Sequence, residues 1–248
     1  MSIVDVSAHG DAEGGPRVSV GKTRALMQLA TTSGVFAMVA LDHGDALASL
    51  LVTERSAPAP AVMTETKLML CRALAPASSA VLLDPIYGAA QAIVARALPG
   101  QCGLIVTLED SGYEGRPWQR EGRLIDGWSV RKTRLMGAQA VKLLAYYNPE
   151  DVPASANQRD MISDVAQECQ MWDIPLLVEP ILYPTPAQEV DPVAFAARRG
   201  DLIIETAREV TALGVDLLKA EFPAPMNERD QGALDDYCRR LDAASAVP

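Results

Sequence analysis

Val215-Asp216-Leu217-Leu218-Lys219-Ala220-Glu221-Phe222-Pro223 sets an ammonium at the end of a short apolar run. Ala140-Val141-Lys142-Leu143-Leu144 repeats the arrangement. Lysine is rarely buried without a partner or a task. The chain has only five lysines among 22 Lys+Arg, so a cation wanted for charge alone is normally arginine. A strand-end lysine can snorkel its head to solvent. Desolvated instead, it has a lowered pKa and a free amine able to attack a carbonyl. Two such lysines in one chain favour the second reading.

Outward from these two runs the same pattern recurs. Phe36 to Leu41, Ala80 to Leu83, Leu104 to Leu108, Ala140 to Leu144, Leu176 to Val178 and Leu217-Leu218 are nearly continuous apolar stretches, as strands covered on both faces should be. Between them lie helical patterns at about 61–75, 88–98, 128–137, 157–172 and 198–213, with another at about 229–244. Pro58 and Pro60 precede the first and Gly214 closes the fifth, in keeping with helix start and stop chemistry. Strand followed by helix, repeated, predicts a parallel sheet with right-handed crossovers.

Polar residues then choose between an open doubly wound sheet and a barrel. Asp42, Asp84, Glu109 and Glu179 each follow the apolar part of a strand, and Lys142 and Lys219 occupy the same place in the fourth and sixth. A (β/α)8 TIM barrel gathers all its strand ends at one mouth, where such enzymes keep their chemistry. An open sheet would usually carry a Gly-rich phosphate loop, and neither GxGxxG nor GxxxxGK occurs. The predicted class is therefore α/β, a (β/α)8 TIM barrel of which about six βα units are found. Six parallel strands do not close as eight do, and their hydrophobic edges would face water. The expectation is a barrel lacking its last two units, with the phosphate site that many barrels build after strands seven and eight. A whole molecule of this kind is expected to be a weak or inactive enzyme of poor solubility; as part of a longer protein, its function belongs to the parent.

Composition narrows the functional classes. The chain has 248 residues, 49% of them hydrophobic, enough for one large domain. Residues 1–17, with Gly10, Gly14, Gly15 and Pro16 among polar neighbours, are expected to form a mobile tail, followed by a single domain over 18–248. A net charge of −10 and a pI near 4.7 speak against nucleic acid or an anionic membrane as partners, while leaving room for a local cationic pocket. Cys71, Cys102, Cys169 and Cys238 form no CxxC or Cys/His cluster, so reduced thiols in a cytoplasmic protein are expected, with no metal and no cofactor. No membrane-length apolar run or secretion signal is visible. Barrels often associate into homo-oligomers, but no interface stripe stands out.

The strand-end residues match the needs of a Schiff-base lyase. Lys219 is the candidate nucleophile. Lys142 is a second cation, suited to lowering the pKa of Lys219 and to binding oxyanions. Glu179 is the candidate general acid/base, and Asp42 can accept hydrogen bonds from an ammonium or a substrate hydroxyl. His43, Asp84 and Glu109 are candidates for substrate binding. For Asp84 and Glu109, a helix cap or a rim ion pair fits as well.

Five blocks carry a family resemblance. Phe36-Ala-Met-Val-Ala-Leu-Asp-His-Gly-Asp45, Ser79-Ala-Val-Leu-Leu-Asp-Pro-Ile-Tyr-Gly88, Ala140-Val-Lys-Leu-Leu-Ala-Tyr-Tyr147, Pro175-Leu-Leu-Val-Glu-Pro180 and Asp216-Leu-Leu-Lys-Ala-Glu-Phe-Pro223 resemble the class I tagatose 1,6-bisphosphate aldolases and the related sulfofructosephosphate aldolases. The resemblance runs from about residue 30 onward. It implies metal-independent retro-aldol cleavage of a ketose 1-phosphate to dihydroxyacetone phosphate and an aldehyde. It assigns Lys219 as the Schiff-base lysine, Glu179 as the acid/base, Lys142 as the accompanying lysine, and Asp42 as the aspartate that contacts lysine and substrate. His43 departs from the pattern, standing where relatives commonly have glutamine, and two further phosphate-binding units have no counterpart. Two alternatives stay open: a barrel lyase using Glu179, Asp84 and Glu109 around Mg²⁺, and a non-catalytic sugar-phosphate sensor.

Overall fold

A computed structural model describes residues 18–51, 59–110, 116, 122–225 and 227–248; the tail expected over 1–17 lies outside them. Six strands appear where apolar runs predict them: β1 (Met38–Leu41), β2 (Ala80–Leu83), β3 (Gly103–Thr107), β4 (Ala140–Tyr146), β5 (Leu176–Ile181) and β6 (Leu217–Leu218). All neighbours pair in parallel. Their spatial order is simply β1-β2-β3-β4-β5-β6. A doubly wound sheet reverses its strand order at a switch point; this sheet winds one way throughout, as a barrel wall does. It is a curled half-barrel of α/β type, open between β1 and β6.

The helices are α1 (Val20–Leu29), α2 (Asp45–Leu50), α3 (Pro60–Leu74), α4 (Ala89–Val94), α5 (Val130–Met136), α6 (Val152–Met171), α7 (Pro186–Glu189), α8 (Pro192–Thr211) and α9 (Gln231–Ala244). Six match the sequence expectation. The helices α6 and α8 begin earlier than expected, at Val152 and Pro192 rather than about 157 and 198. Both carry proline in the first turn, where its missing N–H costs no helical bond. For α8, Asp191 caps the start by accepting from the Ala194 N–H at 3.0 Å.

Alternation along each strand splits the core in two. Ala80, Leu82, Ile105, Ala140, Leu177 and Leu217 point inward and pack with Leu29 of α1. The intervening residues face the helices: Val81, Leu83, Leu104 and Val106 against Cys71 of α3 and Ala89 and Ala92 of α4, and Val141, Leu143, Leu176 and Val178 against Ile162, Val165 and Cys169 of α6. A period of two therefore builds both the inner and the outer layer.

Helix α1 plugs the end of the barrel where the strands begin. Gly103 permits the close approach, since a Cβ there would lie 2.8 Å from Leu29 Cδ2 and 3.1 Å from the Gln28 carbonyl oxygen. Lys22 of α1 is buried and ion-pairs with Asp216 just before β6, at 2.8 Å to Oδ2. That same oxygen accepts the Leu176 N–H at 2.8 Å. One carboxylate thus ties the plug to the starts of both β5 and β6. On the far side of β6, the Leu218 N–H donates to the Pro248 carbonyl at 2.9 Å.

Candidate active site

Inward parity, carried past the apolar residues, places the chemistry. Met38 leads by twos to Asp42, Ile105 to Glu109, Ala140 to Lys142, Leu177 to Glu179 and Leu217 to Lys219. Five polar side chains from five strands thus converge above the inner apolar layer: Asp42, Glu109 and Lys219 just past the ends of β1, β3 and β6, and Lys142 and Glu179 inside β4 and β5 rather than at the strand ends expected, because those two strands run on beyond them. The structure brings them into contact. Lys142 Nζ lies 2.6 Å from Glu109 Oε1, 2.8 Å from Asp42 Oδ2 and 3.3 Å from Glu179 Oε2. The other oxygen of Glu179 lies 2.6 Å from Lys219 Nζ. Glu179 thereby bridges the two ammoniums.

The two lysines sit in different environments. Lys142 is buried, whereas 40% of the Lys219 side chain is exposed. Burial, expected for both, holds only for Lys142, because β6 is two residues long and Lys219 lies just beyond its end. Burial by itself would pull the Lys142 pKa down. The negative charges of Glu109, Asp42 and Glu179 outweigh it and push the pKa well above the ordinary lysine value. Lys142 is therefore a fixed cation, its charge matched by carboxylates.

The carboxylates divide in turn. Burial tends to raise the Asp42 pKa, but the Lys142 charge and hydrogen bond, helped by His43, hold it below its ordinary value. Glu109 is more deeply enclosed, and there burial outweighs Lys142 and raises the pKa. Its second oxygen, Oε2, is buried with no hydrogen-bond partner. Three carboxylates thus crowd around Lys142 in a poorly solvated place, and Glu109, the most enclosed of them, is the one for which burial outweighs the ammonium.

The remaining two candidates stand apart. His43 is exposed at the rim beside Asp42. Asp84, though inward by parity, turns away from the cluster: Oδ2 pairs with buried Lys67 of α3, and Oδ1 accepts the N–H groups of Ile86 and Tyr87 at 2.8 and 2.6 Å. The Asp84, Glu109 and Glu179 set weighed above for Mg²⁺ is thus not assembled. Asp84 is held by Lys67, and the other two share Lys142. Among the described residues, no three or more His, Cys, Asp or Glu side chains are grouped to hold a metal ion.

Lys67, beside the site, is a residue that sequence reasoning missed. It is 1% exposed, and its Nζ also donates to the Leu41 carbonyl at 2.9 Å. A signal was present, because Met63, Lys67 and Cys71 recur every fourth residue and are the buried face of α3.

Comparison with known proteins agrees with the fold. The family described as DeoC/LacD family aldolase matches residues 36–248, most of the chain and every strand. The chain belongs to that family. Similar curated family relatives include tagatose 1,6-diphosphate aldolase 2 of Enterococcus faecalis, 29% identical over 85% of this chain and 63% of its own length. The enzyme of that name from Streptococcus mutans is 30% identical, over 84% of this chain and 64% of its own. The chain thus spans just under two thirds of the length of these relatives. Among solved structures, a Schiff-base-forming fructose-1,6-bisphosphate aldolase matches with a TM-score of 0.56 at 16% identity, covering 92% of this chain and 78% of that one. A fructose-bisphosphate aldolase from Slackia heliotrinireducens matches with a TM-score of 0.61 at 11% identity, covering 92% and 69%. At those identities the structural likeness bears on the fold alone, and it supports the family's barrel wall.

Proposed function

We propose that this site forms a Schiff base with a ketose 1-phosphate of the tagatose 1,6-bisphosphate or 6-deoxy-6-sulfofructose 1-phosphate type. It cleaves that sugar to dihydroxyacetone phosphate and an aldehyde. The observation that carries the reading is the 2.6 Å contact between Glu179 and Lys219, which puts an acid/base within proton-transfer reach of the one site lysine open to solvent. The names of the curated relatives support the substrate class.

Lys219, having lost its proton, adds to the ketone carbon and forms a carbinolamine. Glu179 protonates the carbinolamine hydroxyl, which leaves as water, and an iminium remains. A base then takes the proton from the hydroxyl on the far side of the scissile carbon–carbon bond. That bond breaks, the aldehyde departs, and the electron pair enters the iminium to give an enamine. Protonation of the enamine carbon and addition of water release dihydroxyacetone phosphate and restore Lys219. Lys142, kept charged by its carboxylates, binds substrate oxygens and holds Glu179 from its other oxygen. Asp42 fixes Lys142, while Glu109 and His43 contact substrate from the floor and the rim. Asp84 serves the scaffold. The four cysteines are free, three of them buried, which supports a reducing, cytoplasmic setting.

The test is borohydride trapping with dihydroxyacetone phosphate, followed by peptide mass spectrometry. A reduced adduct on Lys219, absent in Lys219→Ala and formed equally in EDTA, is the expected result. Absence of an adduct in the folded protein would overturn the proposal.

A further inference from the structure

The buried pair Lys67–Asp84 lies outside the chemistry just described but touches its support. Leu41 and Leu83 are register partners at the ends of β1 and β2. Asp42 and Asp84 follow them directly. Lys67 reaches from α3, the crossover between these strands, and meets both: its Nζ donates 2.9 Å to the Leu41 carbonyl oxygen and pairs with Asp84 Oδ2. Asp84 in turn gathers the Ile86 and Tyr87 N–H groups of the loop after β2. One ammonium thereby fixes the peptide carbonyl joining Leu41 to Asp42 and, through Asp84, the next loop.

Stability alone does not account for this arrangement. A leucine or methionine would serve the apolar face Met63–Cys71 of α3, and replacing a buried ion pair with apolar residues is often neutral or stabilising. What the pair supplies is direction. Asp42 must meet Lys142 Nζ at 2.8 Å, and the residue carrying it stands at the end of a four-residue strand that has no second neighbour in the sheet. An edge strand is held by ladder hydrogen bonds on one side only.

We propose that Lys67 and Asp84 are positioning residues that hold Asp42 against Lys142. The kinetic part of this proposal rests on the Schiff-base reading of the site; the structural part does not. The pair acts through a backbone carbonyl and touches no reacting atom. It differs from a simple structural staple in one respect, namely that its effect must pass through the Asp42 carboxylate.

A double-mutant cycle reads that difference. Lys67→Met and Asp84→Asn are each made in the native chain and in Asp42→Asn. In all of them the rate of borohydride-trapped adduct formation at Lys219 is measured alongside urea unfolding. The expected result is a fall of about tenfold in trapping rate for Lys67→Met in the native background and less than about twofold in the Asp42→Asn background, a coupling within the range seen for residues joined in one network. Equal falls in both backgrounds would overturn the proposal. Should Lys67→Met fail to fold, Asp84→Asn carries the same comparison, because an isosteric amide keeps an acceptor for the Ile86 and Tyr87 N–H groups. Should the unaltered chain give no adduct, the Schiff-base reading fails, and the unfolding cycle still decides. Asp42→Asn must then shift the urea midpoint less when Lys67 is already replaced, and an equal shift refutes the positioning role.

Discussion

Among the described residues, replacing Lys142 with methionine removes the lysine that ion-pairs with Asp42 and Glu109, and one of the two that ion-pair with Glu179. Methionine matches the stem in length, so cavity formation is minor and the change is mainly electrostatic. Leaving a buried charge without its partner costs about 3–5 kcal/mol. For a domain of this size each kcal/mol lowers Tm by about 2–4 °C, so at pH 8 the variant should melt about 6–20 °C below the native chain.

The pH dependence is the sharper part. In the native chain, Asp42 has a folded pKa below its ordinary value of 3.8. Its contribution is present above the unfolded pKa and is lost as pH falls through the folded one. Glu109 is the reverse case, raised above 4.5, so its favourable contribution exists below that value and is lost as pH rises through the folded pKa. Without Lys142 the lowering influence on both groups disappears and burial remains, so both folded values move above the unfolded ones. Acidification should then restore stability, by up to about 1.4 kcal/mol per pH unit for each proton taken up by the folded state alone. Urea unfolding of both proteins between pH 5 and 8 is the assay. The deficit of Lys142→Met should shrink steadily toward pH 5. A deficit that stays constant, or grows on acidification, would refute the view that Lys142 is there to neutralise these carboxylates.

Three further outcomes are expected. Glu179→Gln keeps the shape of the side chain but cannot exchange a proton, so trapping at Lys219 should slow about 10²- to 10⁴-fold with little change in Tm; an unchanged rate would move the acid/base role elsewhere. Lys22→Met strands buried Asp216 and should cost about 3–5 kcal/mol in urea unfolding, with Lys22→Met/Asp216→Asn recovering part of it. Ile105→Ala, in the fully buried inner layer, should lower stability by about 2–5 kcal/mol without altering which lysine is trapped, checked by unfolding and peptide mapping on one preparation.

The wall of the barrel was legible because its strands are enclosed on both faces and therefore read as unbroken apolar runs, down to the two-residue β6. The candidate site was legible for a related reason. A polar residue directly after such a run must lie at a strand end, and parity then assigns it to the inner or outer face. Asp42, Glu109 and Lys219 follow that rule, Lys142 and Glu179 lie inside β4 and β5 and share only the inward parity, and all five meet. Parity also assigns Asp84 inward, but parity governs the Cβ direction of extended residues, and Asp84 lies beyond β2 in a turn whose N–H groups claim one of its oxygens. The rule fails at Asp84 because that turn, and not the strand, sets the side-chain direction.

The two lysines that escaped attention show a second boundary. Lys22 and Lys67 lie on the buried faces of their helices, at Lys22, Ala25 and Leu29 and at Met63, Lys67 and Cys71. On a helix, a charged residue on the apolar stripe ordinarily reads as one that bends its head to solvent, since four methylenes suffice to reach the edge of a stripe. What forbids that here is the sheet beneath. The strand ends bearing Asp84 and the Leu41 carbonyl, and the strand start bearing Asp216, offer acceptors inside the contact, and these acceptors lie 17, 26 and 194 residues away along the chain. Local periodicity can place a lysine on a buried face. Only the pairing of distant strands supplies the carboxylate that meets it there, so a buried helical lysine is legible as a position and becomes legible as a function once the sheet register is known.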